Sequence, residues 1–530
     1  MSKPARPDEL SSPQDATAVE KLPILDVPTK VEEKLKGIEL VLFCHGLGDC
    51  HLLGFPAANG KGRVWMMIDC GLHGSTKGGR ERMDALFAAI RKHLAKESML
   101  SGTGDLAVVA LTHEHWDHNS GFHPRQTLFD ANGPKVGEVW MAWTEDTKDP
   151  LGRELDKYKG AAVKVIANSH ARIENVAALL PIRNAWEAML GFYGAISYES
   201  AAAAVKSSDD MGDGGGAIDE LAVKVESFAL KGEVSRIARD AAAQLAHPKL
   251  PRFLEPGDVL AIPGVDGVRC YVLAPPRDRK MLGLLDSKAD TFGAAGTGNA
   301  TLDALANALA VQGGMSLDED ETGPFDASEG LPLTKAIGEV SFLRDHYLDQ
   351  PQRTIDHDWL MGASDLALQL DAKTNNTSLV LAFEIIETGH VLLFAADAQV
   401  GNWKSWMTVK FPATSDRSAT TGARLLERAV FYKVGHHGSR NATLREGLEK
   451  MTALEVAFNP TDEKMAQKVG WNDIPATALN AELYRRTKGR LIQSDQRWIA
   501  DRSRPIPIAE GGALVSIRRG EGPSLKLHIL

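Results

Sequence analysis

The chain has 530 residues, longer than one average domain, with 43% hydrophobic and 25% charged residues, an ordinary soluble globular composition. Its net charge of −10, from 60 Lys+Arg against 70 Asp+Glu, argues against a broad basic face that coats duplex DNA, and leaves room for a local basic groove. The four cysteines, Cys44, Cys50, Cys70 and Cys270, form no C-x-x-C pair, so a zinc ribbon or dithiol redox site is not indicated and buried free thiols are expected.

Residues 1–36 are rich in Pro, Ser and charge and read as a flexible tail ahead of a single domain over 37–530. That stretch has no apolar signal-peptide core, and no apolar run is long enough for a membrane span. A cytoplasmic protein with no membrane partner is the expectation. Order begins with an apolar strand at 38–43, then a turn at His45–Asp49 and short strands at 51–55 and 63–69. Residues 82–96 place Met83, Leu86, Phe87, Ile90 and Leu94 at helical spacing. Strands follow at 106–111 and 139–143. The stretch from about 150 to 250 is Ala-rich and reads as a helical insertion outside the sheets, with a glycine break at 211–216. Strands resume at 259–262 and 268–273, and a loose Gly- and Asp-rich insertion spans about 285–335. Strands are then expected at 377–385, 391–397 and 430–434. Strands in both halves with helices between them suggest two packed sheets with helices outside.

The strand at 106–111 runs directly into Thr112-His113-Glu114-His115-Trp116-Asp117-His118. In extended chain, residues two apart point to the same side, so His113 and His115 converge on one ion. Asp117 and His118, in the turn beyond, face a second. Asp69, Asp397 and the pair His436-His437 also stand at strand ends. Taken singly, each is a turn residue first.

In this order the four signals resemble the metallo-β-lactamase fold superfamily, over about residues 38–500 outside the insertions. Within it, Gly46-Leu47-Gly48-Asp49, Met67-Ile68-Asp69-Cys70-Gly71, Asn375-Asn376-Thr377-Ser378, Leu393-Phe394-Ala395-Ala396-Asp397 and Lys433-Val434-Gly435-His436-His437-Gly438-Ser439 are similar to the soluble hydrolase domain of ComEC-type DNA-internalisation proteins. The resemblance implies an α/β fold, a four-layer αββα sandwich with helical insertions, and two divalent metal ions, zinc or manganese. It implies His113 and His115 on one ion, with Asp117, His118 and His437 on the other and Asp397 bridging. Asp69 would orient a ligand, and Asp117, Asp69 and His436 form the expected catalytic set. His436 would face substrate; its role and that of His437 are exchangeable at this stage. Where many members carry a third histidine, this chain has Asn375-Asn376, as ComEC-type domains do. A neutral amide binds transition metals less well than imidazole. The pair is therefore read with His436 as substrate-binding, beside a weaker or harder-metal site.

The expected activity is hydrolysis by a water activated between two metals, most readily of phosphodiesters in a nucleic acid or nucleotide. Hydrolysis of a lactam, lactone or thioester uses the same water, and a metal-binding scaffold without turnover is the reading from another class. Protein partners, if any, would use the helical insertion. His45, His51, Trp140 and Trp143 read as packing residues, and Glu145 and Asp146 as neighbours of the pocket mouth. Trp471-Asn472-Asp473 carries no assigned role.

Overall fold

The computed structural model describes residues 36–101, 105–173, 190–194, 234–283, 373–468, 473–495, 512–519 and 523–530, with a few isolated positions between them. The expected tail, the glycine break at 211–216 and the loose insertion at 285–335 lie outside these residues, but for Lys36 and Lys335.

Alternation builds the first sheet. In β1 (Ile38–Phe43), Ile38, Leu40 and Leu42 face one core, and Val41 and Phe43 face another. Both faces are covered, so the strand is apolar except at Glu39, whose carboxylate pairs with Lys526. It pairs with β2 (Cys50–Pro56), and β2 with β3 (Arg63–Cys70), antiparallel. Then β4 (Leu106–Leu111), β5 (Val136–Ala142) and β6 (Arg252–Leu254) join parallel to β3. The second sheet begins with β7 (Val259–Ala261), β8 (Val268–Ala274), β9 (Val380–Ile385) and β10 (Val391–Phe394), all antiparallel. A small hairpin, β11 (Lys410–Phe411) and β12 (Thr420–Thr421), stands apart. The parallel strands β13 (Ala429–Lys433), β14 (Val456–Asn459) and β15 (Leu491–Gln493) extend the second sheet beyond β10. Finally β16 (Leu514–Arg519) and β17 (Ser524–Ile529) return to the first sheet, where β17 pairs with β1. The result is an α/β architecture of an eight-stranded and a seven-stranded mixed sheet.

The sheets share one core, in which Leu40, Met66, Val108 and Trp140 of the first pack with Cys270, Leu381, Phe394 and Phe458 of the second. Helix α1 (Gly79–Ser101) buries Met83, Leu86, Phe87, Ile90 and Leu94 on the other face of the first sheet. Each fully buried Leu or Phe contributes about 1.5–3 kcal/mol. After β4 comes one helical turn, α2 (Trp116–Asn119). The insertion holds α3 (Pro150–Ile173) and α4 (Val234–Ala243). Helices α5 (Val400–Trp406), α6 (Gly422–Glu427), α7 (Arg445–Lys450) and α8 (Thr477–Arg486) cover the outer face of the second sheet through Trp403, Trp406, Leu425, Leu448 and Leu483.

Several expected bounds shift, each for a backbone reason. Trp143 leaves the β5 strand and opens a 3-10 turn. Thr377 and Ser378 precede β9 because their N–H groups close a turn onto Thr374 O and Asn375 O, at 2.9 and 3.1 Å. Ala395–Asp397 turn out of β10, with Ala396 at φ 47°. The described parts of 150–247 contain helices and no strand. No helix among the described residues is long and apolar enough to cross a membrane. All four cysteines are buried free thiols.

Candidate metal centre

Strands β3 and β4 run parallel, as do β10 and β13, so the C-terminal end of each pair lies on one edge of its sheet. Leu379 N donates to Thr112 O at 2.9 Å and ties those edges together. The chain changes from apolar to polar within one residue at each end: Leu111 to Thr112, Ile68 to Asp69, Ala396 to Asp397. Close backbone packing fixes the turns. Asp49 N donates to Asp117 O at 2.9 Å, and Gly71 N donates to Asp49 O at 3.0 Å. A Cβ on Gly71 would run into the Asp117 backbone, so only glycine fits there. Asp69, Ala396, His436 and His437 adopt positive φ values of 54°, 47°, 39° and 53°. Each such conformation costs on the order of 1 kcal/mol, and such residues cluster at functional sites.

Besides the group Asp49, Asp69 and His118, two sets of metal-ligating atoms that share a carboxylate meet here. Asp117, His118, Asp397 and His437 form one, and His113, His115 and Asp397 the other, each with its ligand atoms within 4.8 Å of one another and every residue buried. Asp397 belongs to both. His113 Nε2 lies 3.1 Å from His115 Nδ1. His437 Nε2 lies 2.8 Å from Asp117 Oδ2, and His118 Nε2 lies 3.2 Å from Asp397 Oδ2.

The outward nitrogens decide the tautomers. His437 Nδ1 lies 2.8 Å from Pro460 O, a carbonyl that only accepts, so Nδ1 carries the proton. His118 Nδ1 donates to Asp69 Oδ2 at 2.8 Å. Thr112 Oγ1 donates to the same Asp69 oxygen at 2.7 Å and so accepts from His113 Nδ1 at 3.1 Å. Each imidazole thereby turns its other nitrogen inward, the arrangement that holds metal-ligating histidines in place. Asp69 thus acts through His118 and through Thr112, whose N–H it also accepts at 2.8 Å.

Charge at the centre is unbalanced. Asp49, Asp69, Asp117 and Asp397 crowd His118, and the one lysine among them, Lys433, ion-pairs with Asp49 and stands 3.6 Å from Asp397 Oδ1. Burial disfavours a charged His118, but these carboxylates outweigh it and raise its pKa well above the usual value. Burial likewise opposes a charged His437; the Asp117 hydrogen bond and the Asp397 charge reverse this and raise its pKa. Burial works against the Asp397 carboxylate, yet His118 and Lys433 hold it well below the usual range. At His115 and His436 burial outweighs the nearby Asp117 and Asp397 carboxylates, lowering His115 to about 3 and His436 to about 4. Asp117 Oδ1 is buried with no hydrogen-bond partner among the described residues, and Asp397 Oδ2 and His118 Nε2 face each other without hydrogen-bond geometry. Orphaned buried acceptors beside inward imidazoles form a donor set that fits a divalent cation.

The other expected residues separate. His436 stands beside both sets: its N–H donates to Asp397 Oδ1 at 3.1 Å, and its Nε2 accepts from Asn375 Nδ2 at 3.3 Å. Its Nδ1 lies 3.0 Å from Ser439 Oγ, which donates onward to Asn441. Asn376 turns elsewhere, donating to Leu282 O and accepting from Gln399 N, at 3.1 and 3.3 Å. Glu145 and Asp146 line a pocket beside α3 and α4, where the Glu145 carboxylate pairs with Lys159 and Arg239, at 3.4 and 3.2 Å. His45 and His51 are buried supports, His45 bonding Gly71 O at 2.7 Å and His51 packing on Phe394 and Phe458. Trp140 joins the inter-sheet core, and Trp143 Nε1 donates to Pro275 O.

The sequence reading misses Lys433 and Asp49 as an ion pair, although both stand within quoted motifs. It also misses Phe192, Tyr193 and Trp471. Phe192 stacks on His115 (5.0 Å between centroids) and on Trp471 (4.9 Å, 8° between planes). No ligand spacing marks these residues; only the fold brings them here. Comparison with protein-family models, with curated proteins and with solved structures finds no match to this chain.

Proposed function

We propose that this chain is a metal-dependent hydrolase of the metallo-β-lactamase fold, similar to the soluble hydrolase domain of ComEC-type proteins, and that it cleaves phosphodiester bonds. The layer order supports the fold reading: helix, sheet, sheet, helix, the αββα arrangement, with the centre on one edge of the sandwich. The observation that carries the functional reading is the pair of His/Asp sets sharing Asp397, with their imidazole tautomers fixed from outside. In this reading Asp397 would be shared between two ions, one that His113 and His115 would hold and one that Asp117, His118 and His437 would hold. When bound, a pair of divalent ions, zinc or manganese, lowers the pKa of a water between them and polarises the phosphoryl oxygen.

The chain's own residues do the rest. Asp69, Thr112 and Pro460 hold the ligands against rotation. His436 and Ser439 are slightly exposed, at 7% and 6%, while the six ligand side chains and Asp69 are sealed, so His436 marks the side of approach. Its imidazole is neutral at pH 7. The amide of Asn375 beside it is a donor suited to a phosphoryl oxygen.

A substrate panel tests this. The purified protein, with Mn²⁺ or Zn²⁺ supplied, is expected to cleave a generic phosphodiester, single-stranded DNA or RNA, and Asp397→Asn is expected to lose that cleavage. Turnover of a lactam, lactone or thioester alone would overturn the phosphodiester reading. Bound metal with no turnover of any substrate would favour the scaffold.

A further inference from the structure

Phe192 and Tyr193 of the inserted region reach the centre. Tyr193 is 1% exposed, and its hydroxyl oxygen lies 3.2 Å from His115 Nε2 and 2.8 Å from Thr374 Oγ1. Thr374 Oγ1 in turn lies 2.9 Å from Leu370 O. A backbone carbonyl only accepts, so the Thr374 hydroxyl donates to Leu370. Thr374 Oγ1 then accepts from the Tyr193 hydroxyl, whose oxygen accepts from His115 Nε2–H. The order of donors runs one way, from imidazole to carbonyl. It leaves Nδ1 of His115 unprotonated, and Nδ1 is the atom 3.1 Å from His113 Nε2. The ring plane is held as well: Phe192 stacks on the imidazole at 29° and Tyr193 meets it at 89°.

We infer that Tyr193 is a positioning residue of the metal centre, which selects the His115 tautomer that turns Nδ1 to the His113–His115–Asp397 set. The inserted region then completes the centre rather than decorating it. Hydrogen bonds onto the backbone of the inserted region agree with this: Trp116 N donates to Phe192 O, and the Asn119 side chain donates through Nδ2 to Ser235 O at 2.9 Å. That Nδ1 serves a metal rests on the proposed function; that Tyr193 sets the tautomer does not.

Two readouts separate those layers. Nitrogen NMR of ¹⁵N-histidine in the chelator-stripped full chain reads the tautomer directly. His115 is expected as the Nε2–H form in the parent, and with a substantial Nδ1–H fraction in Tyr193→Phe, which keeps the ring and removes the hydroxyl. Competition with a chelator for zinc reads affinity. Tyr193→Phe and Thr374→Val are each expected to weaken one bound ion by about 10–100-fold and leave the other unchanged. An Nδ1–H form in the parent overturns the inference, as does a Tyr193→Phe protein with parental tautomer and parental affinity at both ions. Weakening of both ions together would also overturn it, since that is what loosened packing gives. If Tyr193→Phe does not fold, the parent tautomer and Thr374→Val decide. A correct tautomer in a parent that binds no zinc would sustain the role of Tyr193 and defeat the metal reading instead.

Discussion

Four histidines at the centre divide by what surrounds them. His113 and His115 lie where burial prevails and are neutral, whereas His118 and His437 lie among carboxylates that raise their pKa. A raised pKa in the metal-free protein means that a proton occupies the site until higher pH. Metal entering the Asp117–His118–Asp397–His437 set must displace it, so affinity there falls as pH is lowered through neutrality. Filling the His113–His115–Asp397 set displaces none from those two imidazoles. Calorimetry of metal binding at pH 7 in buffers of different ionisation enthalpy should therefore show proton release; identical heats in every buffer would contradict the assignment. Replacing a ligand acts more bluntly. His115→Ala and Asp117→Ala are each expected to lower hydrolysis at least about a hundredfold while the fold survives, since the inter-sheet core does not include them. Unchanged turnover in either variant would remove that residue from the centre.

Each of these side chains stands at the end of an element, and most of those elements were readable. Apolar runs mark β1, β4, β9 and β10, and a ligand follows β4 and β10 where the run stops. The supports were not readable, because they come from elsewhere in the chain. Glu114, between the two ligands of the His113–His115 pair, turns away from the centre into a buried ion cluster. It meets Lys159 of α3 at 3.0 Å, and Arg239 of α4 at 2.9 Å, and the same two cations meet Glu145. Burial opposes the Glu114 charge, but these cations lower its pKa to about 2. Glu114→Gln leaves two buried cations to Glu145, the part-exposed Asp156 and the exposed Asp240, and such a broken cluster costs about 3 kcal/mol. Urea unfolding should show that loss, together with weaker metal retention as the loop shifts. A change below about 0.5 kcal/mol would mean that the cluster does not hold the loop.

At the scale of the molecule, the two ends of the described chain meet. β17 pairs with β1 over Ile38–Phe43, and Leu525, Leu527 and Ile529 fill the inter-sheet core. Ser524-Leu525-Lys526-Leu527-His528-Ile529 alternates with period two, so this strand was legible in the sequence and simply passed over. β14 and β15, with four and three residues, are too short for periodicity to reveal. Deleting 512–530 would bare the β1 edge and empty part of the core, and the shortened chain is expected to be insoluble or molten by near-ultraviolet circular dichroism. A soluble chain with parental near-ultraviolet signal would contradict the strand order. The centre depends on this frame, because it forms only where the edges of both sheets meet. The most direct test is therefore a reconstitution titration: the protein is stripped with chelator, Mn²⁺ or Zn²⁺ is added back, and phosphodiester hydrolysis is followed against metal equivalents. No hydrolysis is expected at zero metal, and a rise that saturates at two ions per chain. Full activity in the stripped protein, or none at any metal load, would contradict this expectation.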